Sequence, residues 1–163
     1  MTAFRVGRLD VQIAATGDGA RVALAGRLDD TCQVGELAAQ LPPGHVVIDT
    51  AGITFVNSIG IREWIRLLRA LRERRTQVSL TGLADVLMVH MNVLAEFRGL
   101  ARISSFHAIY ACGACGYEAS MLIDAASHLD ELRQMRTPAL RCPECGGTME
   151  LADFPERYLS IFL

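Results

Sequence analysis

The chain has 163 residues, 51% of them hydrophobic and 21% charged, enough for one domain with an appendage and a sizeable core. All sixteen basic residues are arginine, and the net charge of −2 divides unevenly, with twelve arginines against ten acids in 1–106 and four against eight in 107–163. Neither half concentrates the basic face that nucleic-acid binding requires, and no apolar run approaches the roughly 18 residues of a membrane span.

The N-terminal Met-Thr-Ala-Phe-Arg-Val-Gly-Arg lacks the apolar stretch of a secretory signal, so a cytoplasmic location is expected. Leu9, Val11 and Ile13 alternate with polar or small neighbours, the period of a half-buried strand. Thr16-Gly17-Asp18-Gly19 reads as a hairpin loop, and 21–26 as the returning strand with Val22 and Leu24 on one face. Asp29, Asp30 or Thr31 can cap a first helix running to about Gln40, which Pro42-Pro43-Gly44 ends. Cys32 falls in its first turn, where a reactive thiol and a small packed side chain are the two readings and packing is expected.

Val46-Val47-Ile48 is the β-branched run of a buried strand, and polar and small residues then form a loop to Asn57 and Ser58. There the period changes: Ile61, Trp64, Ile65, Leu68 and Leu71 recur at helical spacing and predict a helix over 58–75. A serine at its start stands among unsatisfied backbone N–H groups, where negative charge is favoured. The opposite face, with Arg62, Arg66, Arg69 and Glu73, reads as solvated. Gln77–Thr81 is a further strand, 84–97 a third helix with Val86, Leu87, Leu94 and Phe97 inward, and 100–106 a last strand. The order β-β-α-β-α-β-α-β predicts an α/β fold with right-handed crossovers, a mixed sheet, and helices mainly on one face.

Three stretches carry a resemblance. Val47-Ile48-Asp49, Gly52-Ile53-Thr54-Phe55 and Asn57-Ser58-Ile59-Gly60 resemble the central signature of STAS domains, the family of anti-sigma-factor antagonists, and Gly26-Arg27-Leu28-Asp29 resembles its Gly-x-Leu-Asp. Asn57 stands where the family has Asp, and Ile59 where it has a second Ser. The resemblance covers 1–106 and implies a STAS-like sheet. It also implies a non-enzymatic regulatory module that docks on an anti-sigma-factor-like kinase through the face around Asn57, Ser58, Ile59, Gly60 and Arg62. Ser58 falls on the regulatory phosphoserine, and phosphorylation there would add about −2 charge at the dock. The alternatives are that Ser58 or Asn57 only caps the helix, and that the chain is a non-switching scaffold or adaptor subunit of an ABC-transporter ATPase or a signalling assembly. A homodimer is also open.

Four of the five cysteines lie after residue 110, as Cys112-Gly-Ala-Cys115-Gly and Cys142-Pro-Glu-Cys145-Gly-Gly. Each pair followed by Gly is a knuckle that aims two thiolates at one point, and two knuckles complete a tetrahedral sulfur site suited to zinc. The 26 residues between the pairs exceed the usual spacing of about 15–20, and a short helix over 127–135, capped by Ser127, explains the excess. With strands over 117–123 and Thr148–Leu151, residues 107–153 resemble a zinc ribbon. A redox pair is the competing reading, but redox chemistry needs no second copy. Four thiolates leave no open position, so the metal is read as structural; His107 and His128 are not required as ligands. In the tail, 154–163, Phe154, Tyr158, Ile161 and Phe162 fall near helical spacing and either pack back on the ribbon or anchor a partner. No catalytic constellation appears; Asp49 ends a strand without an evident partner.

Overall fold

The computed structural model describes all residues, 1–163. Its first sheet has six strands in the order β1 (Thr2–Val6), β2 (Leu9–Thr16), β3 (Gly19–Leu28), β4 (His45–Val56), β5 (Gln77–Thr81) and β6 (Arg102–Ile103). The first three pair antiparallel as a meander, and β3 to β6 pair parallel, so the sheet is mixed. Side-chain alternation sets which face is covered. Leu9, Val11, Val22, Leu24, Val46, Ile48, Val78 and Leu80 are buried, while Asp10, Gln12, Arg21, Ala23 and Asp49 point to the other, open face. Helices α1 (Ser58–Glu73) and α2 (Asp85–Val93) cover the buried face.

Several elements differ from expectation. β1 is additional: Phe4 and Val6 are only half-buried on an edge, so its alternation is weak. The stretch expected as a first helix begins as a turn around Asp29 and becomes a 3-10 helix only at Val34–Gln40, with Val34, Leu37 and Ala38 buried beneath α1. β4 does not stop at Ile48 but runs twelve residues to Val56. Its register against β3 shifts between Ala23 and Ala25 and again between Gly26 and Arg27, and these bulges change the buried parity from Thr50 to Ile53. Such a parity change hides a strand from a period-two search. Asp49 therefore lies within a strand, and its Oδ1 accepts from the Ala51 N–H at 2.9 Å. The expected third helix divides into α2 and a short 3-10 turn, Ala95–Phe97, in which Phe97 is buried.

The second sheet has the order β8-β7-β10-β9, from β7 (Ser105–Cys112), β8 (Glu118–Asp124), β9 (Leu140–Arg141) and β10 (Thr148–Leu151). β7 crosses the expected boundary at 106 and is tied to the first sheet. The Leu83 N–H donates to Ser105 O at 3.1 Å, and the His107 N–H to Leu83 O at 2.8 Å. One continuous buried cluster reaches from Leu9 through Phe106, Tyr110 and Ile123 to Leu159, so the two sheets share a core. Helix α3 (Leu129–Arg133) is shorter than expected and starts after His128; the Ser127 hydroxyl donates to Asp124 Oδ2 at 2.8 Å instead of capping it.

The tail forms α4 (Glu156–Leu159) and a closing 3-10 turn, Ser160–Phe162. It packs on α2 and on the second sheet: Tyr158 and Leu159 are buried, and the Phe162 ring lies 5.5 Å from that of Phe106. Asn92, buried on α2, donates to Glu156 O and accepts from the Ile161 N–H at 2.8 Å, which satisfies its amide. Phe154 remains exposed. No helix is long and apolar enough to cross a membrane.

Candidate functional site

The two cysteine knuckles share one geometry. In each, the backbone turns back on itself, with the Gly116 N–H donating to Cys112 O at 3.0 Å and the Gly146 N–H to Cys142 O at 2.9 Å. Gly116 and Gly146 both sit at φ +76°, a left-handed conformation that explains a glycine after each pair. A further backbone N–H approaches one sulfur of each knuckle at 3.4 Å, Ala114 to Cys112 Sγ and Gly147 to Cys145 Sγ.

The strand pairing of β7 with β10 then brings the knuckles together. Cys112 Sγ lies 3.5 Å from Cys145 Sγ, Cys115 Sγ lies 3.7 Å from Cys142 Sγ, and all four sulfurs fall within 4.8 Å of one another. A tetrahedral ion with bonds of about 2.3 Å places its sulfurs about 3.8 Å apart, so the cluster fits a metal ion. None of the cysteines is disulfide-bonded. Cys112 and Cys142 are buried while Cys115 and Cys145 are exposed, so each knuckle contributes one inner and one outer sulfur. Without a cation the four cannot all ionise. N–H groups of Cys115 and Ala114 hold the Cys112 thiol down at about 6. Cys115 also meets the Tyr117 N–H, which favours its thiolate, but hydrogen bonding to neighbouring sulfurs, Cys145 foremost, and burial push it up to about 12. A divalent cation removes this conflict. Neither His107 nor His128 belongs to the cluster.

The second predicted site is the first turn of α1. Asn57 is its N-cap, with Oδ1 accepting from the Gly60 N–H at 2.9 Å. The cap is thus provided without Ser58, whose hydroxyl is exposed and makes no hydrogen bond within the chain. Ile59 is 45% exposed and Arg62 is exposed, whereas Gly60 is buried. Gly60 sets the position of the turn: a Cβ there would lie 1.8 Å from Leu28 O.

Behind this turn lies a cluster that sequence reasoning assigned differently. Asp29, with a side chain only 2% exposed, closes its own turn by accepting from the Thr31 hydroxyl at 2.6 Å and the Thr31 N–H at 3.0 Å. Arg27 Nε approaches it at 3.3 Å and Arg8 Nη1 at 3.5 Å. The Thr31 bonds, with help from the two arginines, hold the Asp29 carboxyl at about 2. Arg27 also stacks over the Phe55 ring at 3.8 Å, and Phe55 is itself part-exposed. The Cys32 thiol is buried and donates to Arg27 O at 3.0 Å, in keeping with packing. Arg8, Arg27 and Phe55 were legible only as scattered residues, because the β2–β3 pairing brings Arg8 to Arg27 and the bulges in β4 bring Phe55 opposite Arg27. The depressed carboxyl contributes stability above its ordinary value of 3.8 that is lost as pH falls toward about 2. An Asp29→Asn chain is therefore expected to melt lower at pH 7 and to show a flatter loss of melting temperature between those two pH values, read by circular dichroism.

Comparison with protein-family models and with curated proteins finds no match to this chain.

Proposed function

We propose that this chain is a non-enzymatic regulatory module that binds a protein partner through the surface at the start of α1, in the manner of the STAS-type anti-sigma-factor antagonists its central motif resembles, and that Ser58 is its phosphorylation switch. The observation that carries this reading is the division of labour between Asn57 and Ser58. Asn57 does the capping, which leaves an exposed hydroxyl at a helix N-terminus with Ile59 and Arg62 exposed on the same turn and Phe55 nearby in sequence. A phosphate on Ser58 would be tolerated by the helix and its unsatisfied N–H groups. It would not be tolerated by an interface fitted to a neutral hydroxyl, so binding would switch off. The metal in the four-cysteine cluster is proposed to be zinc, in a structural role: soft thiolates in a tetrahedron suit it, and four protein ligands leave no position for an activated water.

The test is affinity capture from the native host, with mass spectrometry of both the partner and the Ser58 peptide. A kinase-like ATPase partner with phosphate on Ser58 is expected. A transporter ATPase or structural partner, with Ser58 unmodified, would make the chain a scaffold subunit instead. With the partner in hand, Ser58→Asp is expected to weaken binding by about a hundredfold, roughly 3 kcal/mol, while Ser58→Ala binds as the unmodified chain does. Equal binding by both variants would remove the switch.

A further inference from the structure

Away from both sites, a cavity of about 400 Å³ opens where the end of α2, strand β6, the segment after β8 and the closing 3-10 turn meet. Its walls are mainly apolar and include Phe97, Ile103 and Phe162, and its volume falls in the ~300–1,000 Å³ range of small-molecule sites. Three arginines, Arg98, Arg102 and Arg133, line the same cavity, and no aspartate or glutamate does; the α-carboxylate of Leu163, also on the wall, forms no salt bridge with them.

Those arginines come from separate segments: Arg98 follows the 3-10 turn after α2, Arg102 lies in β6, and Arg133 ends α3. Only the tertiary fold gathers them. None takes part in any of the chain's salt bridges, and Arg98 reaches only the Ser160 carbonyl at 3.4 Å. Five of the sixteen arginines pair with carboxylates, as in Arg5–Asp10 at 2.7 Å and Arg157–Asp153 at 2.9 Å, and these three are among the eleven that do not. Three unpaired like charges around one apolar hollow repel one another, and an anion seated among them relieves that repulsion. Guanidinium forks match the oxygens of carboxylate and phosphate.

We propose that this cavity binds a small amphiphilic anion, a carboxylate or phosphate monoester on an apolar body. The head sits among Arg98, Arg102 and Arg133, and the body lies against Phe97, Ile103 and Phe162. Such a ligand would bridge β6 of the first sheet, α3 and the closing 3-10 turn, and stabilise their junction by mass action.

Calorimetric titration of the full chain with decanoate, decyl phosphate, decanol and inorganic phosphate tests this. At least one decyl anion is expected to bind and to raise the melting temperature, with decanol and inorganic phosphate each weaker by about tenfold or more. The tighter anion identifies the head group. The Arg102→Gln/Arg133→Gln double variant, altered only at exposed side chains, is expected to lose about tenfold or more in affinity while melting as the unmodified chain does. Ala126→Phe, which fills the cavity from an exposed wall position and leaves the charges intact, is expected to lose binding as well. Decanol binding as tightly as the anions, the arginine variant keeping its affinity, or neither decyl anion binding at about 1 mM would each overturn the proposal.

Discussion

Replacing Cys142 by Ser is expected to abolish binding of the proposed metal by the four-cysteine cluster and lower the melting temperature of the whole chain by about 10 °C or more, at roughly 2–4 °C per kcal/mol for a protein of this size. The substitution changes little in volume, so the loss reports ligation. Two features make it large. The second sheet is short on its metal side, with β9 only two residues long and β10 four, and both hang from the knuckles at their ends. The buried cluster also runs unbroken from that sheet into the first, through Met149, Tyr110 and Phe106. Loosening one end therefore exposes apolar surface at the other. Thermal unfolding by circular dichroism, with metal content by plasma mass spectrometry, measures both quantities. Cys32→Ser is the control: that thiol stands outside the cluster, and metal content should stay unchanged. A Cys142→Ser chain that loses its metal yet melts at the original temperature would show that apolar contacts alone hold the second sheet.

Gly60→Ala is expected to destabilise the chain by about 3 kcal/mol, the upper part of the range for overpacking, and to lower the melting temperature by roughly 6–12 °C. The added methyl would meet Leu28 O at 1.8 Å, Leu28 C at 2.3 Å and Asp29 N at 2.9 Å. All three are backbone atoms, so no side chain can swing aside. The start of α1 must retreat from the end of β3, which loosens the Asn57 cap and the turn closed by Asp29. Chemical denaturation measures the loss. A variant within about 1 kcal/mol of the original would mean that the helix start can shift at little cost, and that the surface around Ser58 is less rigidly positioned than this packing implies.

How far these features could be read in advance depended on whether the signal was local. α1 was legible because Ile61, Trp64, Leu68 and Leu71 repeat at helical period and are all buried in the structure. The cysteine cluster was legible because each knuckle is a local motif, although nothing local says that β7 and β10 bring the two together. The expected helix over 29–40 failed for an equally local reason. Asp29, one of three candidate helix caps, instead closes a turn onto Thr31, and the helical hydrogen bonding that follows is 3-10. β4 was read too short because its bulges break the alternation. The Arg8–Arg27–Phe55 gathering and the arginine-lined cavity were out of reach, because they are products of tertiary pairing between segments with no shared pattern.

The clasp on Asn92 bears on the order in which the chain can reach this state during synthesis. Its amide takes both partners from residues some 64 to 69 positions further along, at Glu156 and Ile161. A ribosome that has released α2 has not yet released what satisfies that side chain, nor Tyr158 and Leu159, which pack with it. Until then α2 carries an unpaired polar group beside uncovered apolar surface, so the first sheet can assemble early while its α2 flank stays open. Closure comes last, and the interval before it is when a chaperone would find most to hold.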